Sequence, residues 1–472
     1  MRTELLAIVP GILSAWLTIF RSMSTALYWV YLPVLLLIPD NFRLPIDGLP
    51  DPTFSQAAIL PIGFGVFCQA LLRGSWKWSW IDVCFGAYLI WQVVSDVYNV
   101  GLIDAQNFGF EIVANALFPY MCGKVLIESE GLRVLFARRF VWLLFTVSAI
   151  SLWEFRMADS PFRRLFGRYF PGQDSGWFVQ ARWGVGRIGG PYGHAILMGA
   201  ILAVALLFCA WLWRSGLWER NFRVLGEAHF TKSQILTAGL AVALLMTLSR
   251  GAWIGGIVGL VLASAGLHAR PGRALLIRMA LVLALLAGVY SASKAYVESE
   301  PGPEEVLTKG RSLAEATEVK QSTAYRTTLF NRYLDIVVQR PWLGWGRANW
   351  PIVPGMPSID NNYLFLALNS GFGGLGLFCL TLFAAAVRLA LGGIRMDAAD
   401  IVERTFHFTL MGSLVAVAIT TSSVFMGSQL YPLTFLLVGW ADACCIGERR
   451  AVPEVRHVEL EAANYEPAGV LA

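Results

Sequence analysis

Residues 193–213 read GHAILMGAILAVALLFCAWLW, a run with no Asp, Glu, Lys or Arg. As an α-helix rising about 1.5 Å per residue, such a run spans roughly the 30 Å of a bilayer's hydrocarbon core. Working outward, apolar runs recur at 5–20, 24–38, 56–72, 79–97, 108–122, 138–155, 234–248, 252–267, 274–292, 361–387, 405–424 and 431–447. The spacing predicts an all-α polytopic transmembrane helix bundle of about 12–13 spans, one domain over 1–447 followed by a polar cytoplasmic tail, 448–472. Composition agrees: 56% of the 472 residues are hydrophobic and only 15% charged, a balance that excludes an ordinary soluble domain. Nothing points to a nucleic-acid partner.

The seven cysteines are Cys68, Cys84, Cys122, Cys209, Cys379, Cys444 and Cys445. Nearly all fall in apolar runs, which argues against a disulfide framework and a thiolate zinc site and for small apolar packing residues. His194, His229, His268, His407 and His457 lack metal-ligand spacing, so no metal is expected. The first apolar run follows a nearly uncharged start and lacks a small-residue cleavage site, so a cleaved leader is not expected.

Short connections rich in Lys and Arg mark the cytoplasmic side. Arg73 and Lys77, Lys124 with Arg133, Arg138 and Arg139, Arg214 with Arg220 and Arg223, Arg270 with Arg273, Arg388 with Arg395 and Arg404, and Arg449 with Arg450 occupy alternate connections. The expected location is a bacterial inner membrane, with 39–55, 98–107, 156–192, 293–360, 425–430 and the break at Arg250 facing the periplasm. Segment 156–192 opposes the rule: it carries Arg156, Arg163, Arg164, Arg168, Arg182 and Arg187 against Asp159 and Asp174. An anionic partner at the outer leaflet is one reason for a basic loop on that side; the many other segments outvoting one loop is the plainer one. Thirteen spans also place the amino terminus outside, and the pair of runs around Arg21 reads as a hairpin or as one re-entrant piece.

Three places can carry chemistry. In TLSRGAWIGG (247–256) the chain must break between two apolar runs and present the Arg250 guanidinium at or just inside the interface, where a cation needs an anionic or carbonyl partner. In GRIGGPYGHAILMG (186–199), glycines and Pro191 let backbone approach a ligand near Arg187, and His194 opens the next helix, whose N–H groups favour an anion. In the long connection 293–360, past the acidic stretch Glu298–Glu305, residues Tyr325, Leu329, Tyr333, Ile336 and Val337 recur at helical spacing, with Ser322 able to cap and Pro341 to stop the run. This reads as an amphipathic helix on the membrane surface, with Arg326 beside its apolar face.

Taken in order, TLSRGAWIGG, YRTTLFNRYLDIVVQRPWLGWGRANW (325–350) and DNNYLFLALNSGFGGLGLF (360–378) resemble the membrane domain of bacterial O-antigen ligases, O-antigen and exopolysaccharide polymerases, and protein O-oligosaccharyltransferases. The resemblance covers about 185–390. It implies transfer of a glycan from an undecaprenyl-diphosphate carrier to an acceptor hydroxyl at the periplasmic face, with neither nucleotide sugar nor metal and no cofactor. It also implies a membrane-lipid setting and, as partners, a polysaccharide flippase, chain-length proteins and export proteins. Arginine forks suit a departing diphosphate without a metal; Arg250 and Arg326 match the family's arginine positions, and Arg187 is a third candidate for the diphosphate clamp.

The sequence departs from the ligase pattern at one point. Where ligases carry a His before Asn, this chain has Asp360, a carboxylate able to take the acceptor's proton if partly buried, which favours a polymerase over a ligase. Asn361, Asn362 and Tyr363 are sugar-binding candidates, the asparagines equally helix caps. Trp342, Trp345 and Trp350 offer either stacking faces or an interfacial belt. A transporter or flippase of a small anion or lipid-linked sugar, and a non-catalytic assembly partner of an export machine, stay open as readings from other classes.

Overall fold

The computed structural model describes residues 3–46, 50–74, 76–174, 177–218, 231–298, 328–356, 358–397, 399–427 and 429–446. Every apolar run is helical there: α1 (Val9–Phe20), α2 (Met23–Leu37), α3 (Phe54–Arg73), α4 (Trp80–Val100), α5 (102–126), α6 (Arg133–Met157), α7 (Ala195–Arg214), α8 (Lys232–Met246), α9 (Arg250–Ala263), α10 (Pro271–Glu298), α11 (328–339), α12 (Asn362–Arg395), α13 (Ile401–Thr421) and α14 (Leu430–Ile446). Among the described residues, nine helices are long and apolar enough to cross a membrane, and α2, α8 and α14 are shorter apolar helices. The run expected at 108–122 is part of the longer α5, which passes through a π-helical turn at Val113–Leu117. A two-residue hairpin, β1 (Ala181–Arg182) with β2 (Val185–Gly186), lies in the basic connection.

Burial sorts the helices. α7, apolar on every face, has 89% of its spanning window inside the protein and α13 has 72%, whereas α1 and α10 have 17% each. A helix that is hydrophobic all round is one that other helices cover: α7 carries no charge before its terminal Arg214 and sits at the centre, whereas α10 carries Arg273 and Arg278 and is largely uncovered. α1 and α2 are separate helices breaking at Arg21–Ser22, where the Ser22 hydroxyl caps the new start. The Thr3 hydroxyl donates to Tyr169 O at 2.5 Å, so the chain's beginning lies on the same face as the 156–192 connection and the α1–α2 pair is a hairpin.

α9 meets α13 along a seam of small residues. A Cβ at Gly255 would stand 2.6 Å from Ala416 O, one at Gly259 2.7 Å from Gly412 O, and one at Gly251 2.3 Å from Ser423 Oγ. Glycines four apart let two backbones touch in lipid, where dispersion rather than water drives association. The seam fixes the start of α9 against the end of α13. At the opposite face, Lys124 bridges Asp82 (2.5 Å) and Asp442 (2.7 Å), and Arg388 pairs with Asp442 at 2.6 Å, a buried network that ties α4, α5, α12 and α14 together.

The expected surface helix is α11, but its apolar face does not meet lipid. Leu329, Tyr333 and Val337 are buried against Ile359, Leu364, Ala367 and Leu368. The periodicity was read for the right helix; its partner is the first two turns of α12, which no local pattern names.

Candidate active site

The centre is the break between α8 and α9. The Thr247 hydroxyl donates to Leu244 O, closing α8. Leu248 then takes φ +49°, a left-handed conformation that costs an L-residue roughly 1–2 kcal/mol and persists only where neighbours hold it. Two arginines of the basic connection do so. Arg187, 7% exposed, donates from Nε to Thr247 O (3.0 Å), from Nη1 to Gln180 Oε1 (2.6 Å) and from Nη2 to Ser249 Oγ (2.8 Å), while Arg182 Nη1 donates to Leu248 O at 2.7 Å. Ser249 sits at the N-cap of α9, yet its hydroxyl is engaged by Arg187 and by Thr247 O and caps nothing. The first N–H groups of α9 therefore lack a side-chain cap.

Arg250 opens that helix, exposed, with no hydrogen bond or ion pair among the described residues. A guanidinium on the positive end of a helix dipole is destabilising by a few tenths of a kcal/mol or more; the same superposition is what an anion needs. The sequence expectation that Arg250 needs a partner is thus met by none of the described side chains.

Below the break, Glu154 on α6 is buried and accepts from Gly189 N at 2.7 Å and Gly190 N at 2.8 Å. It holds the glycine turn that carries Arg187. Glu154→Ala is expected to lower stability by roughly 2–4 kcal/mol, because one buried and one part-buried N–H group lose their acceptor, with Glu154→Gln milder; thermal unfolding in detergent measures both. His194 caps α7, its Nδ1 accepting from Ile196 N at 3.2 Å, with Nε2 3.4 Å from Gln180 Nε2. Glu154, Gln180, Arg187, Gly189 and Gly193 share one small pocket.

The third motif forms the start of α12. Asn361 Oδ1 accepts from Tyr363 N (2.9 Å) and Leu364 N (3.1 Å) as the helix cap. Asn362 Oδ1 accepts from Met426 N (3.2 Å), and the Tyr363 hydroxyl donates to Ala418 O (2.7 Å). These three side chains are committed to structure. Asp360 is half-buried and accepts from the Ser358 hydroxyl at 3.2 Å. Arg326 lies outside the described residues. Of the tryptophans, Trp345 donates to Ile336 O (3.1 Å) and Trp350 stacks edge-on against Tyr333 (5.9 Å), whereas Trp342 is 71% exposed.

What joins the Arg250 break, the Pro191 turn and the start of α12 is the connection between α13 and α14. Ser423 touches Gly251 at the break, Met426 is held by Asn362, and buried Gln429 donates to Pro191 O (3.2 Å) and Ile38 O (2.9 Å). Sequence reading treated this stretch only as a short loop. A second anchor was also missed: Asp96 Oδ2 accepts from Arg347 Nε (3.0 Å) and Nη2 (2.7 Å), pinning the WLGWGR turn to α4. Asp96 and Glu154 both stand inside runs read as apolar, and an ionisable residue within a span is the available signal for such a role; Gln180 and Gln429 carried none. On the same face, burial pushes the Asp40 carboxyl up, with the Thr53 and Ser55 hydroxyls opposing it.

Residues 235–379 match the family model described as O-antigen ligase. This segment is similar to the O-antigen ligase family. No curated protein matches the chain. The matched segment spans α8 to the first half of α12, so it holds Arg250 and the Asp360–Tyr363 turn, while Arg187, Glu154 and the α13–α14 connection come from outside the match. The match supports a membrane glycosyltransferase of the ligase or polymerase type.

Proposed function

We propose that the protein joins glycan repeat units carried on undecaprenyl diphosphate at the periplasmic face of a bacterial inner membrane. The observation carrying this reading is Arg250, solvent-facing on an uncapped helix start and inside the segment that matches the O-antigen ligase family. In the reaction an acceptor hydroxyl oxygen bonds to the anomeric carbon, the bond from that carbon to phosphate oxygen breaks, and the lipid diphosphate leaves with the electron pair. Charge develops on the diphosphate, where a preorganised guanidinium and the free N–H groups of α9 oppose it most strongly. Asp360, half-buried at the start of α12 inside the matched segment, is our candidate to accept the hydroxyl proton. Arg187 is a positioning residue, with Nε and Nη2 bonded to the break and Nη1 to Gln180. Arg326 belongs to the proposed clamp by its motif alone.

A polymerase is favoured over a ligase by Asp360 standing where ligases have His. The measurement is the lipid-linked oligosaccharide profile of a deletion strain. Accumulated single repeat units are expected; accumulated lipid-linked polymer indicates a ligase, and an unchanged profile overturns both. The flippase, chain-length and export proteins expected beside such an enzyme enter as neighbours in the same export route.

A further inference from the structure

A cavity of about 360 Å³ lies at the other end of the bundle, lined in part by Tyr28, Arg138, Arg139, Trp142, Trp218 and Lys232. Arg138 and Arg139 stand in the first two turns of α6, whose last turn holds Glu154. The sixteen residues from Arg138 to Glu154 put the cavity roughly 24 Å from the candidate site along the helix axis. Lys232 opens α8, whose far end is the Arg250 break, so two helices independently assign the cavity to the opposite face.

Its chemistry is cationic and aromatic. The Arg139 guanidinium lies over Tyr28 (4.5 Å) and Trp29 (4.0 Å), and Lys232 lies over Trp142 (5.4 Å) and Trp218 (5.3 Å). Arg138 donates from Nε to Leu217 O at 2.8 Å. No Asp or Glu lines the cavity among the described residues. Basic side chains that merely snorkel extend past the apolar surface into water. Here they fold inward over rings around an open space, and the Arg139 Nε is buried with no acceptor among the described residues. Three cations walling a space at the membrane boundary, beside Trp and Tyr, form the recognition chemistry of an anionic lipid phosphate. Leu143 and Thr146 continue the wall along α6 toward the bilayer interior, the direction an acyl chain would take and a free anion would not need.

We propose that this cavity binds the phosphate headgroup of an anionic phospholipid on the face opposite the candidate active site. The test is native mass spectrometry of the purified full chain with phosphatidylglycerol and, separately, phosphatidylcholine. A retained one-to-one phosphatidylglycerol adduct is expected, with phosphatidylcholine not retained. Arg139→Gln combined with Lys232→Gln should weaken retention about thirtyfold, each basic residue near an anionic surface being worth roughly fivefold, while Arg139→Lys keeps most of it. Should the double variant fail to fold, Thr146→Trp fills the space without touching a charge and is expected to evict the lipid. Retention in these variants equal to the parent overturns the proposal. So does displacement of the lipid by equimolar inorganic phosphate, which would assign the cavity to a free anion.

Discussion

Arg250→Ala is expected to lower glycan transfer by at least about 100-fold, the loss usual when one preorganised charge-stabilising donor is removed, while the protein stays as stable as before. The two halves of this expectation have separate causes. Transfer falls because the negative charge on the departing diphosphate meets its most exposed cation at this position, and the loss should appear in kcat more than in KM, since the charge grows only as the bond breaks. Stability holds because Arg250 is solvent-facing and bonded to nothing among the described residues. Removing a cation from a helix N-terminus is, if anything, favourable by about 0.3–1 kcal/mol. Arg250→Lys should fail as well, because a point charge cannot make the two-pronged contact of a guanidinium. Arg187→Ala forms the contrast: it strips acceptors at Thr247, Gln180 and Ser249 of a buried donor, so yield and unfolding temperature should drop together with transfer. Membrane vesicles supplied with lipid-linked repeat units give the rates. Undiminished polymer from the Arg250→Ala protein would remove the diphosphate clamp from the account.

Gly371→Ala is expected to destabilise the fold by about 3–5 kcal/mol, adding left-handed backbone strain to the cost of overpacking. Gly371 interrupts α12 with φ +68° and ψ −175°, and a Cβ there would stand 2.1 Å from Trp342 O. The interruption exists because the 341–346 turn docks into it. Phe372 N donates to Pro341 O at 2.6 Å, Trp345 N to Leu368 O at 2.9 Å and Gly346 N to Asn369 O at 2.8 Å. A methyl group at 371 therefore pushes backbone against backbone, with no flexible side chain to yield. Gly376→Ala, five residues on and with nothing within 4 Å of its Cβ, is the matched control. It should be neutral or stabilising by up to about 1 kcal/mol through helix propensity. Equal unfolding temperatures for the two variants would refute the docking argument.

The long helices were legible because lipid imposes one rule on every span: some twenty residues without charge, with all backbone groups bonded within the segment. That rule acts residue by residue along the chain, so α7 announces itself in 193–213 with no knowledge of its neighbours. The same holds for the break at Arg250, where a cation between two apolar runs forces the helix to end, and for α11, whose 3.6-residue period survives in Leu329, Tyr333 and Val337. Asn361 and His194 show where this local view stops. Asn361 reads as either ligand or cap and His194 as either a substrate-binding residue or a satisfied His where a loop turns into a helix; in the fold each accepts from a backbone N–H two residues on and caps its helix.

From its sequence alone, then, this chain is determined to be a membrane-spanning bundle with cations and a carboxylate in three ordered motifs, because hydrophobic length and charge are properties of single segments. Tertiary structure alone decided that Arg187 braces the break while Arg250 is left open among the described residues, that α11 buries its face on α12, and that the α13–α14 connection touches the Arg250 break, the Pro191 turn and the start of α12. Those outcomes rest on hydrogen bonds between residues as far apart as Ile38 and Gln429. Such a bond depends on which two segments meet, and neither segment carries that information by itself.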